Sequence, residues 1–233
     1  TMDIDTTLRN YPLNCESAEQ IVRQIADVEI DDKISFVIKK TEEIMEDSEY
    51  QGVRLSLDAY LDKTRIPLKI DISTGDVITP CEISFSYQLM FENRTIPLLA
   101  YPPETVLAEK LETILSRGEA NTRLRDFYDV YILQREDFVV TPDALRYALL
   151  ATCRTRGHED LLHTYASILD GVRQSSAMRT QWMKYQSDFD YAAGITWDTV
   201  LDTVETLCMK TLDDHAFGDE LPQEESQFEM HLL

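Results

Sequence analysis

The chain has 233 residues, 43% of them hydrophobic and 28% charged, enough for one large or two small domains with a real core. It has no run of 18 or more apolar residues, so no membrane partner is expected, and its first residues, TMDIDTTL, lack the basic and apolar regions of a secretory signal. With 43 acidic against 22 basic residues the net charge is −21, which repels phosphate backbones and excludes a general electrostatic binder of nucleic acid.

Any nucleotide this chain handles must therefore be met by local positive charge or by a divalent metal. Cys15, Cys81, Cys153 and Cys208 lie far apart, with no CxxC or His–Cys metal spacing. That pattern reads as a reduced, cytoplasmic protein with unpaired thiols.

The sequence opens on a strand-like motif with no preceding turn, which reads as an N-terminally incomplete protein. A helix is expected over about 17–29, with Ser17 as N-cap and Gln20 completing a capping box. Period-2 alternation predicts strands over 33–40, 53–61 and 66–73, and a fourth over 77–91 broken near Pro80. After Pro102 and Pro103 the period becomes helical. Amphipathic helices are predicted at 102–117, 123–134, 141–154, 158–172, 179–189 and 196–212. The stretch 213–230 is acidic and almost without aliphatic residues, the composition of a disordered tail. The expected class is α+β: a mixed sheet domain with flanking helices over 1–100, a helical domain over 101–212, and the tail over 213–233.

Asp3 and Asp5 stand at i and i+2 of the first strand, so both carboxylates project from one face while Met2 and Ile4 turn toward the core. Two carboxylates that close repel unless a cation separates them. Asp71, inside the apolar strand LKIDIS and before a Gly75-Asp76 turn, is a third acid on a polar strand face. Three such groups suit one or two hard divalent ions, with triphosphate oxygens completing the coordination. The competing reading is a solvated strand end.

Lys110 lies on the apolar stripe of Leu107, Leu111 and Ile114, so it must reach an anion; a triphosphate and a neighbouring carboxylate are both open. Asp126 and Asp129 share a helical face just after Arg117, Arg123 and Arg125. This helix could present a general base beside a cationic patch, or carry an ordinary Arg125–Asp129 surface pair. Tyr128 and Tyr131 read as core. His158, His163, His215 and His231 show no ligand spacing, and there is no GxSxG, HExxH or glycine-rich loop.

In order along the chain, DxD, LKIDISTGD, YPPETVLAEKLETILSRG and NTRLRDFYDVYIL resemble the AbiEii/AbiGii toxin family over about 1–135. These are nucleotidyltransferase-like toxins of type IV, abortive-infection toxin–antitoxin systems. The resemblance implies a minimal nucleotidyltransferase fold. It implies transfer of a nucleoside monophosphate from an NTP to an acceptor, the tRNA 3′ end in characterised relatives. It also implies Mg²⁺ or Mn²⁺ as cofactor and a cognate antitoxin as partner. By the same resemblance Asp3, Asp5 and Asp71 match the metal carboxylates, with Asp71 also catalytic. Lys110 matches a lysine on the nucleotide phosphates, with Arg125 beside it. Asp126 matches the essential acid of the last motif and is a candidate base. The family's Gly-Gly or Gly-Ser turn upstream of DxD does not occur here, and a polypeptide without it is expected to bind NTP poorly. Two other readings remain: a small-molecule transferase of the aminoglycoside-modifying kind, and a non-catalytic fold that binds an antitoxin.

Overall fold

The computed structural model describes residues 3–30, 32–45, 51–135 and 140–212. Met2 and the acidic segment 213–233 fall outside them. The chain divides between Asp76 and Val77 into two compact units.

Among the described residues the first unit is a sheet with one helix. Strands β1 (Asp3–Thr7), β2 (Ile34–Met45), β3 (Gln51–Leu61) and β4 (Thr64–Ser73) lie in the order β1-β4-β3-β2. β1 runs parallel to β4; the other pairs are antiparallel. The β3–β4 hairpin turns at Asp62, whose φ of 51° is left-handed. Alternation then puts Val53, Leu55 and Leu57 on one face with Leu68, Ile70 and Ile72 as their cross-strand neighbours. Helix α1 (Cys15–Ala26) covers that face with Ala18 and Val22. Each fully buried aliphatic side chain there contributes about 1.5–3 kcal/mol.

Three expectations for this unit need correction. The α1 N-cap is Asn14, not Ser17: Asn14 Oδ1 accepts from Ser17 N at 2.8 Å, and Ser17 Oγ accepts from Asn14 N at 3.0 Å. Ser17 is thus the reciprocal partner of a capping box that begins three residues earlier. Ile4 faces away from the acids as expected but is 47% exposed, because β1 is an edge strand that α1 does not cover. β2 also runs on to Met45, past the expected end at 40. Its register shifts between Ile38 and Lys40, a bulge that breaks the period-2 pattern.

Among the described residues the second unit is helical, with one hairpin. β5 (Ile83–Gln88) and β6 (Thr95–Ala100) form a two-stranded ribbon. The strand expected over 77–91 is therefore shorter: Thr79 instead bonds Thr105, its N–H donating to Thr105 Oγ1 and its carbonyl accepting from it. β6 went unforeseen because Pro97 weakens a strand reading; each strand of a two-stranded ribbon keeps one open edge, and edge strands are where proline is tolerated.

Helices α2 (Pro103–Arg117), α3 (Leu124–Leu133), α4 (Pro142–Thr155), α5 (Leu161–Gln174), α6 (Ser176–Asp188) and α7 (Trp197–Leu212) follow, close to the six expected. α2 and α7 are central. Leu107, Leu111, Ile114 and Leu115 of α2 and Val200, Leu201, Val204 and Cys208 of α7 are buried in one cluster with Phe127, Leu149 and Trp182. Trp182 Nε1 donates to the Ile195 carbonyl at 2.9 Å. No helix among the described residues is long and apolar enough to cross a membrane.

The four cysteines are unpaired. Cys81 is exposed, whereas burial pushes the Cys153 thiol up to about 12, with Glu112 adding to the effect. Since the thiolate is the reactive form, iodoacetamide at neutral pH should label Cys81 first and leave Cys153 untouched until denaturant is added. Peptide mapping by mass spectrometry reads this directly, and equal rates at the two sites would contradict the packing.

Candidate active site

The parallel pairing of β1 with β4 sets the first constellation. Its register places Asp5 opposite Asp71 and Asp3 opposite Lys69. β3 continues the rows, with Arg54 opposite Asp71 and Ser56 opposite Lys69, and β2 adds Glu42 and Lys40. Across the face of the sheet opposite α1 one row thus reads Asp5, Asp71, Arg54, Glu42, and its neighbour reads Asp3, Lys69, Ser56, Lys40. Strand spacing of about 4.8 Å makes such pairs direct neighbours.

The ends of β1 and β4 are clasped. Asp76 Oδ2 accepts from Thr7 Oγ1 at 2.8 Å and from Ser73 Oγ at 2.6 Å, and the two hydroxyls are themselves 2.9 Å apart. Leu8 N–H donates to the Ser73 carbonyl at 2.9 Å. Asp76 reaches back because Gly75 takes φ 92°, a conformation side chains resist. The turn that marks this motif in the sequence therefore fixes the register that brings Asp5 to Asp71.

Asp71 is held from the other side. Arg54 Nε and Nη2 donate to its two oxygens at 2.7 and 2.6 Å, a bidentate fork. These bonds hold the guanidinium more firmly protonated than usual, and Asp3 adds to the effect through its charge. Sequence reasoning missed Arg54. Its place on the polar alternation of VRLSL was visible, but its pairing with Asp71 depends on the β3–β4 register.

As oxygen donors on one face, Asp3, Asp5 and Asp71 have the chemistry that a hard divalent cation requires. Their side chains are not gathered into a cage: among the described residues no group of three or more His, Cys, Asp or Glu is arranged to hold a metal. The β1–β4 register aligns Asp5 with Asp71, and Arg54 takes the oxygens of Asp71.

The second constellation belongs to the helical unit. Lys110 of α2 puts Nζ 2.6 Å from Asp129 Oδ2 and 3.3 Å from Asp126 Oδ1 on α3. Of the two anions open to it from sequence, the neighbouring carboxylate is the one it meets here. Asp126 is almost fully buried, and Arg123 Nε stands 2.9 Å from its Oδ2, an ion pair without the alignment of a hydrogen bond. Asn121 sets that approach: its Oδ1 accepts from the Arg123 backbone N–H at 2.7 Å. Arg125 lies 3.7 Å from Asp129 with its side chain largely exposed. Tyr131 is core, as expected; Tyr128 is half-buried, 4.8 Å from the Tyr191 ring. His158 bonds Glu112 through Nδ1 at 2.7 Å, and His163 shares no metal group.

A family model described as the nucleotidyl transferase AbiEii toxin of type IV toxin–antitoxin systems matches residues 1–203. No curated protein matches. Two solved structures are similar. A candidate nucleotidyltransferase from H. pylori is 12% identical with a TM-score of 0.40, covering 92% of this chain and 79% of its own. JHP933 from Helicobacter pylori is 14% identical with a TM-score of 0.43, covering 92% of this chain and 76% of its own.

The Lys110 cluster yields a stability prediction. Removing the ammonium leaves Asp126 as a buried charge with one exposed partner, a loss of about 3–5 kcal/mol. Both tryptophans, Trp182 and Trp197, sit in the core of the helical unit, so their fluorescence follows its unfolding. Urea titration of Lys110→Met should show the tryptophan transition at clearly lower denaturant; an unchanged midpoint would mean that the cluster is only superficially paired.

Proposed function

We propose that this chain, which belongs to the AbiEii nucleotidyl transferase toxin family, transfers a nucleoside monophosphate from an NTP to the 3′ end of tRNA in a metal-dependent reaction. The observation that carries the reading is the parallel β1–β4 register, which aligns Asp5 with Asp71 and keeps Asp3 on the same face. In the reaction an acceptor hydroxyl gives up its proton to solvent as its oxygen bonds to the α-phosphorus, the α–β bridging P–O bond breaks, and pyrophosphate leaves with its electron pair. Positioning and charge neutralisation supply most of the catalysis in such in-line transfers.

Asp3, Asp5 and Asp71 would hold Mg²⁺ or Mn²⁺, which supplies Lewis acidity toward a phosphoryl oxygen when bound. Arg54 keeps Asp71 in one orientation on that face. Lys110 is the proposed phosphate contact, with Arg125 beside it, and Asp129 and Asp126 fix where its ammonium stands. Asp126, enclosed by Lys110 and Arg123, acts in this reading as a positioning residue, because a buried carboxylate between two cations offers little room for an acceptor hydroxyl. A cognate antitoxin is the proposed partner, and the cytoplasm the proposed compartment.

The test is to incubate the full chain with labelled NTPs, Mg²⁺ and total tRNA. Label should enter tRNA, and Asp71→Ala should reduce transfer by about a hundredfold or more, the usual scale for a charge lost at the reacting centre. Label moving only to a small amine or hydroxyl compound would move the acceptor to the aminoglycoside class. No transfer to anything would contradict the reading.

A further inference from the structure

The face of the four-stranded sheet opposite α1 holds several cations, and most are committed. Arg54 is spent on both oxygens of Asp71. Lys40 lies 2.6 Å from Glu42. Arg65 and Lys39 stand 3.3 and 3.9 Å from Asp58.

Lys69 differs. It is exposed, and it takes part in none of the ion pairs among the described residues, in a chain of net charge −21. It stands two residues before Asp71 on β4, so both side chains leave the same face. Its neighbours in register are Asp3 on β1 and Ser56 on β3. The Ser56 hydroxyl makes no hydrogen bond with another described residue either. An uncommitted ammonium and an uncommitted hydroxyl thus lie side by side, one row from Asp5 and Asp71.

We propose that Lys69, with Ser56 beside it, is the subsite on this sheet face that binds the polyphosphate of the nucleoside triphosphate. The inference rests on the nucleotidyltransferase reading and adds a substrate contact to it. The chemistry follows from charge. A polyphosphate brought to a face bearing Asp3, Asp5 and Asp71 meets repulsion that a divalent ion offsets only in part. A lysine on the next strand supplies a compact positive charge on a long, adjustable stem, with three donors for phosphate oxygens. The acids that hold Arg54 and Lys40 leave Lys69 to an incoming anion.

The experiment measures binding by calorimetry, with Mg²⁺, of the four NTPs, of inorganic triphosphate and of the matching nucleosides to the wild type, Lys69→Gln and Lys69→Arg. Transfer kinetics are followed in parallel. Lys69→Gln should weaken NTP and inorganic triphosphate binding about tenfold, the scale of one charge-assisted contact. It should also flatten the salt dependence and raise KM with kcat little changed. Nucleoside binding should not move, and Lys69→Arg should retain most of the affinity. Circular dichroism matching the wild type confirms that the exposed substitution leaves the fold intact.

If Lys69→Gln binds triphosphate within twofold of wild type while Asp71→Ala abolishes transfer, the Lys69 proposal fails and the transferase reading stands. A fall in kcat at unchanged KM overturns the proposal equally. If the wild type neither binds any NTP nor transfers label, both fail together.

Discussion

The parallel contact of β1 with β4 is the constraint on which the polar sheet face depends. β1 has a single partner strand, little of it is covered, and it still must present Asp3 and Asp5 in one register. A slip of one residue would turn both acids to the opposite face. The Thr7–Ser73–Asp76 clasp opposes that slip at the strand ends. It explains why the motif that carries Asp71 continues into a glycine turn: Gly75 lets the chain fold back so that Asp76 can reach both hydroxyls. Asp71 on the polar face and Asp76, which clasps the strand ends that align it, sit five residues apart in one short segment.

Net charge shapes the rest. A chain at −21 has no general attraction for phosphate, so any affinity must come from where individual cations stand. The sheet answers with alternation: within the two rows, acids and bases are neighbours across strands, and most bases are already matched. The helical unit buries its cluster instead, with Lys110 between Asp126 and Asp129. Burial there makes the lysine's position depend on packing against α3, which links the local chemistry to the stability of that unit.

Much of this was legible in the sequence, for physical reasons that can be named. Strand alternation exposed the face of Asp3, Asp5 and Asp71, and the apolar stripe around Lys110 showed that this lysine must meet an anion. Helices with strong periods, such as α2 and α7, fell close to their expected bounds. What failed depended on pairing or on partner geometry. Arg54 could not be tied to Asp71 without the β3–β4 register, and Lys69 could not be set apart before the other cations had found their acids. The bulge in β2 and the proline in β6 hid strand length and existence, because both break the local pattern that sequence reasoning relies on. The choice of Ser17 as cap failed on an ambiguity, since in Asn14-x-x-Ser17 each residue caps the other.

The central claim is that the face carrying Asp3, Asp5 and Asp71 is where nucleotide and metal meet. A crystal grown with Mn²⁺ and a non-hydrolysable NTP analogue tests it most directly through the anomalous signal of manganese. The account places that signal on the face of the four-stranded sheet opposite α1, with Asp3 and Asp5 among its ligands and polyphosphate density beside it. Manganese and analogue bound together at any other surface, with those carboxylates unligated, would contradict it.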